Sequence, residues 1–113
     1  MDCIFCGIAQ GSVPAALAYE GERVLAFSDL NPQAPTHLLI IPRKHYASIQ
    51  DVPAEEIGIV GEIVTVAQDL ARERGIWPGG YRLVVNAGQE GGQTVGHLHV
   101  HLLAGRQMHW PPG

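Results

Sequence analysis

Apolar residues along this chain change their spacing several times, and each change marks an element. Between residues 16 and 42 they come in short runs: ALAYE (16–20), RVLAFSDL (23–30) and THLLIIP (36–42). Runs of this length, rich in branched and aromatic residues and bounded by Gly and Pro, read as strands. Glu20 and Gly21 between the first two predict a hairpin. NPQAP (31–35) is a loop, because its prolines fix the backbone and remove N–H donors. The third run is apolar at nearly every position, the pattern of a central strand buried on both faces. Residues 2–10 predict a short helical turn with Asp2 as N-cap, ended by Gly11 and Pro14.

The period then lengthens. Residues 53–75 predict one long helix. Pro53 suits its first turn, Glu55 and Glu56 suit the positive end of its dipole, and Arg72, Arg74 and Gly75 suit its last turn and stop. Glu55, Glu62, Thr65, Asp69 and Arg72 form one narrow polar face. Ile57, Ile59, Val60, Ile63, Val64, Val66, Ala67 and Leu70 cover the rest. That apolar arc is wider than the stripe of about 100° that a surface helix needs. It predicts a helix covered on more than one side, as at a subunit interface. YRLVVN (81–86) is a further strand, AGQEGGQTVG (87–96) a glycine-rich loop, HLHVHLL (97–103) the last strand, and RQMHWPPG a tail. Strands on both sides of a single long helix, with no βαβ rhythm, predict an α+β fold with a mainly antiparallel sheet.

Composition narrows the functional classes. A chain of 113 residues, 46% hydrophobic and 16% charged, suits one domain over 1–113. Seven Lys and Arg against 11 Asp and Glu, with a net charge of −4, leave no basic stripe for nucleic acid. No apolar run approaches the roughly 20 residues of a membrane span. The opening MDCIFCGIAQG has no basic n-region and does not read as a signal peptide. Two cysteines in a chain that needs no staple point to a cytoplasmic protein.

The chemistry is concentrated in HLHVHLL. Side chains two apart on a strand share a face about 6.6 Å apart at the backbone. His97, His99 and His101 therefore line up, with Leu98, Val100 and Leu102 behind them. Three readings compete. A half-exposed strand could use His for its polar positions. A His-x-His pair could grip Zn²⁺, although Glu90 is the only acid in the preceding loop. Or an imidazole could attack phosphorus, splitting one displacement into two easier ones, while a neighbour orients it or moves protons. The adjoining loop favours the third. Its glycines let backbone N–H groups approach closely, and Gln93 and Thr94 add side-chain donors for phosphate oxygens. Cys3 and Cys6 also stay open between a redox pair, two buried thiols and half of a structural zinc site; the redox reading lacks its usual βαβ setting.

HLHVHLL resembles the signature of the histidine triad (HIT) superfamily. SDLNPQAPTHLLIIPRKH, the opening DCIFC and the tail GRQMHWPPG are similar to its Hint branch, the histidine triad nucleotide-binding proteins. The resemblance covers the whole chain. It implies a five-stranded antiparallel sheet with one long and one short N-terminal helix. It further implies a homodimer with one continuous sheet, and hydrolysis of purine nucleoside 5′-phosphoramidates to AMP or GMP and an amine. His99 would be the nucleophile, flanked by His97 and His101, with His37 as a fourth histidine that orients it. Asp29 would hold the ribose diol. Asn86, Gly92, Gln93 and Thr94 would contact phosphate, or in the case of Asn86 the ribose. Ile4, Phe5, Ile8, Val13, Phe27 and Leu30 would form the base pocket, and Trp110 would reach the partner's site. The same resemblance gives Cys3, Cys6, His45 and His97 as ligands of a structural zinc, with no metal needed for catalysis. Two positions depart from the branch: Thr94 replaces a serine implicated in protonating the amine, and Gly96 replaces a bulky residue. Other HIT branches act as dinucleoside polyphosphate hydrolases or nucleotidyl transferases, and a nucleotide-binding scaffold with little turnover is the rival from outside enzymology.

Overall fold

In the computed structural model, which describes residues 3–113, the predicted runs become five strands and two helices. The elements are α1 (Ile4–Gln10), β1 (Leu17–Glu20), β2 (Val24–Ser28), β3 (Thr36–Pro42), α2 (Gly58–Glu73), β4 (Arg82–Val84) and β5 (Val100–Ala104). The strands form one sheet in the order β1-β2-β3-β5-β4. Every pairing is antiparallel. β3 is central, and all its residues but Thr36 are buried.

Alternation divides the sheet into two working faces. Val24, Ala26, Leu38, Ile40, Val100 and Leu102 pack against Ile59, Ile63, Val66, Ala67 and Leu70 of α2. Leu25, Phe27, Leu39 and Ile41 face the other way and pack against Phe5 of α1. The register puts Leu39 opposite both Phe27 and His101. The histidine strand therefore lies beside the apolar centre of the α1 face.

Element bounds differ from expectation in several places. The cap of α1 is Cys3, whose Sγ accepts from the Cys6 N–H at 3.3 Å; Asp2 lies outside the described residues. The long helix starts at Gly58 rather than Pro53, after a separate 3-10 turn over Ala54–Glu56. That turn is tied down because the Glu56 carboxylate accepts from both Lys44 Nζ and the Tyr46 hydroxyl. β4 stops at Val84, where the chain leaves for the 87–96 loop. The ladder of β5 begins at Val100, not His97. Alternation nonetheless persists upstream: Leu98 packs on the α2 side and donates its N–H to the Tyr46 carbonyl at 2.7 Å. Gly75, at φ 69°, ends the α2 region as expected.

The wide apolar arc of α2 is covered on one side only. Ile57 remains 51% exposed and Val64 36%. Among the described residues no helix is long and apolar enough to cross a membrane.

Ile63→Ala should destabilise the fold by about 2–5 kcal/mol, since Ile63 is fully buried between α2 and the sheet. Glu62→Ala, one position away, removes an exposed partner of Arg23 and should leave the urea midpoint nearly unchanged. Equal losses for the two variants would contradict this packing.

Candidate active site and metal centre

A cavity of about 280 Å³ opens between α1, the end of β2 and the histidine segment. Ile4, Phe5 and Ile8 of α1 wall it on one side, with Val13 just beyond the helix. Phe27 and Asp29 close the far side, and Thr94, His99 and His101 lie along it. Leu30 also borders it, but at 97% exposure it is a rim residue and not a buried wall. Pro14, Ala15, Ser28, Leu39 and Val95 complete the lining, and the motif had not singled them out.

Hydrogen bonds order the protons on the imidazoles around the cavity. The Gln33 backbone N–H donates to His37 Nδ1 at 3.0 Å, so the His37 ring proton sits on Nε2. That Nε2–H lies 2.9 Å from His101 Nδ1 and 3.4 Å from Asp29 Oδ2. His101 Nδ1 thus accepts, and its own proton is on Nε2. His99 Nδ1–H donates to the His97 carbonyl at 2.7 Å, so in the neutral tautomer the lone pair is on Nε2. The rings of His99 and His101 stand 5.0 Å apart. One edge of the cavity therefore offers a nucleophilic nitrogen beside an N–H donor. Burial pushes His37 below its ordinary value against the pull of Asp29. Burial, then the neighbouring His99 and His37, push His101 down to about 4.

Asp29, His37 and His101 also lie close enough together to suggest a metal. The protonation pattern argues otherwise. With Nδ1 of His37 accepting from an amide, a metal on Nε2 would require an anionic ring. The hydrogen-bond relay instead runs from the Gln33 N–H through His37 to His101, with the Asp29 carboxylate beside it.

Of the two places the resemblance gives His97, beside the nucleophile and in the zinc set, its side chain takes the second. Its side chain is fully buried and outside the cavity lining. Its Nε2–H donates to the Pro42 carbonyl at 2.9 Å. Its Nδ1 is turned to a second cluster, 3.3 Å from Cys3 Sγ, 3.6 Å from Cys6 Sγ and 3.2 Å from His45 Nδ1. Cys6 Sγ lies 3.3 Å from His45 Nδ1. Tetrahedral Zn²⁺ with ordinary bond lengths sets S···N edges near 3.5 Å and N···N edges near 3.3 Å. The donor set fits structural zinc, and the Pro42 contact supplies the outer hydrogen bond that orients a ligating histidine. Four protein ligands leave no open position, so such a zinc would hold structure and not activate water. What His97 gives the cavity is its backbone carbonyl.

The glycine-rich loop is also different in detail. The Gln93 amide donates to the carbonyls of Ala47 and Val95 at 2.6 and 2.9 Å, and its Oε1 accepts from the Gly88 N–H at 3.0 Å. Its backbone N–H goes to Gly88. The expected side-chain donor for phosphate is thus already engaged, and Gln93 braces the loop. The Gly92 N–H closes a turn onto Gln89, at a φ of 81° that favours glycine. Both line a neighbouring cleft that shares Thr94 and Val95 with the cavity. Among the described residues, the amides of Thr94, Val95 and Gly96 donate to no protein acceptor. A Cβ on Gly96 would meet open space, so packing does not require glycine there. Asn86 and Trp110 lie outside the cavity lining, and Trp110 is 82% exposed.

Neutral His101 makes stability depend on pH. The unfolded chain takes up this proton near 6.5 and the folded chain only near 4. The contribution is complete above the unfolded value and is lost as pH falls toward the folded one. Urea midpoints should therefore drop on acidification over that window, His37 adding in the same direction. His101→Asn should flatten the profile; an unchanged slope would contradict the assignment.

Comparison with known proteins identifies the family. The HIT domain family model matches residues 10–108. A 14 kDa zinc-binding protein of Zea mays is 50% identical over 112 residues, covering 97% of this chain and 87% of its own. The crystal structure of a HIT family hydrolase from Legionella pneumophila Philadelphia 1 superposes with a TM-score of 0.96 at 53% identity, covering 99% of this chain and 100% of that one. A Zn-bound histidine triad family protein from Mycobacterium smegmatis gives a TM-score of 0.82 at 35% identity, covering 94% and 76%. With the relay, the cavity and the metal cluster in place, the chain belongs to the HIT domain family.

Proposed function

We propose that this protein hydrolyses the P–N bond of purine nucleoside 5′-phosphoramidates through a nucleotidyl-histidine intermediate. The observation that carries the reading is the pairing of a bare Nε2 on His99 with an Nε2–H on His101 at one apolar cavity. The base packs among Phe5, Ile8 and Phe27. Asp29 accepts from the ribose diol, since each carboxylate oxygen keeps a lone pair beyond its contacts with the Asn31 N–H and His37. The phosphate sits by Thr94, within reach of the loop amides, with Gly92 and Gln93 shaping the loop and Asn86 as a further contact.

His99 Nε2 attacks phosphorus, and the bond to the amine nitrogen breaks. The Thr94 hydroxyl donates to the departing amine and regains a proton from solvent. The His101 N–H stabilises charge on a phosphoryl oxygen, while the His97 carbonyl favours the positive ring that forms on His99. Water then attacks phosphorus, the P–Nε2 bond breaks, and one proton returns to solvent. The sum is substrate plus water giving nucleoside monophosphate and amine. A zinc on Cys3, Cys6, His45 and His97 would be structural throughout.

A homodimer in the cytoplasm is part of the same proposal. The bare Ile57 and Val64 ridge and the unpaired outer edge of β4 support a second copy there. Trp110 would then reach the partner's cavity. Sedimentation should give a dimer, and Val64→Asp should shift it toward monomer; a monomeric wild type refutes this part.

The activity test is steady-state hydrolysis of a fluorogenic adenosine 5′-phosphoramidate with chelator present. The wild type should turn over, and His99→Ala should lose roughly 10⁴-fold or more in kcat. An inert wild type, or a variant that keeps its rate, would overturn the reading.

A further inference from the structure

We propose that the metal centre and the nucleotide cavity are energetically coupled, so that zinc strengthens nucleotide binding and nucleotide strengthens zinc binding. The proposal rests on the nucleotide reading above. Two physical links join the sites.

The first is α1. It has only seven residues. An isolated helix shorter than about 12 residues is marginal in water, so α1 depends on what holds it to the sheet. Cys3 and Cys6 belong to the metal cluster, while Ile4, Phe5 and Ile8 wall the cavity. The same short helix thus serves both sites. Phe5 touches each of them: its ring is 5.3 Å from Phe27, 5.3 Å from His99 and 5.9 Å from His97, edge-on in all three cases. A further polar anchor is Arg43, whose Nη1 donates to the Ala9 carbonyl at 2.6 Å.

The second link is the backbone of residues 97–99. The side chain of His97 sits in the cluster, and its carbonyl accepts the Nδ1–H of His99. Ligation at His97 Nδ1, together with the Pro42 contact, fixes the ring at both ends and so steadies that carbonyl. Loss of the metal frees the N-cap and second thiol of α1 and one end of His97 at once. The nucleotide must then order the cavity wall itself, and its apparent affinity falls. Linkage makes the effect reciprocal and equal in the two directions.

The test titrates AMP into zinc-loaded and zinc-stripped protein by calorimetry. It also measures zinc affinity against a chelating indicator with and without saturating AMP. We expect both affinities to change by the same factor, roughly tenfold, within the usual range for coupled sites. A ¹H–¹⁵N spectrum of the stripped protein should keep the amides of β2, β3 and β5 and move those of residues 3–10 and 97–99. Phe5→Leu should bring the coupling factor toward one while zinc still binds. Equal AMP affinities with and without zinc would overturn the coupling and leave the nucleotide reading standing. Collapse of the whole sheet on stripping would also overturn it, since zinc would then hold the fold and not this path. Failure of the loaded protein to bind AMP would overturn both.

Discussion

A ring nitrogen of neutral imidazole either carries a proton or offers a lone pair, and this site depends on which does which. One backbone amide, that of Gln33, starts the order by donating to His37 Nδ1. His37 Nε2–H then donates to His101 Nδ1, and the His101 proton is left on Nε2. Independently, two backbone carbonyls take protons from His99 and His97. One ring is left with a bare nitrogen, one with a donor, and one with a lone pair turned to the cysteines. Three chemically identical side chains acquire three roles because their partners differ. Burial sustains the scheme by disfavouring the charged forms of His37 and His101, in which the direction of donation would be lost.

The fold supplies those partners cheaply. A sheet with two apolar faces lets α2 stabilise one side while α1 shapes a cavity on the other. The register of β3 with β5 brings His37 and His101 together over the sheet surface. Leaving the ladder before Val100 frees the 97–99 segment from strand pairing, so the His97 ring can turn into the cysteine cluster while its carbonyl faces His99. A regular strand through His97 would present all three imidazoles alike. The irregular start of β5 therefore sends the His97 ring and the His99 ring into different surroundings.

Much of this was legible in the sequence. The five strand positions, the central place of 36–42, and the stop at Gly75 follow from period and turn residues. The cavity walls Ile4, Phe5, Ile8, Val13 and Phe27, and the grouping of Cys3, Cys6, His45 and His97, came from resemblance and not from spacing. Alternation alone could not tell that the His97 ring turns to Cys3, Cys6 and His45, because pattern gives a face and not a partner. Gln33, Pro42 and Arg43 left no signal, since the first two act through backbone groups and the third braces carbonyls. Gln93 shows the converse: a residue suited to bind phosphate is consumed in holding its own loop. Helix bounds slipped at Gly58 because contacts from Lys44 and Tyr46, distant in sequence, capture Glu56.

The central claim is that a nitrogen of the protein attacks phosphorus before water does. The stereochemical course at phosphorus tests it most directly, using a substrate made chiral there by sulfur and isotopic oxygen. Two successive in-line displacements, through His99 and then water, predict net retention of configuration. Net inversion would mean a single displacement by water and would contradict the account.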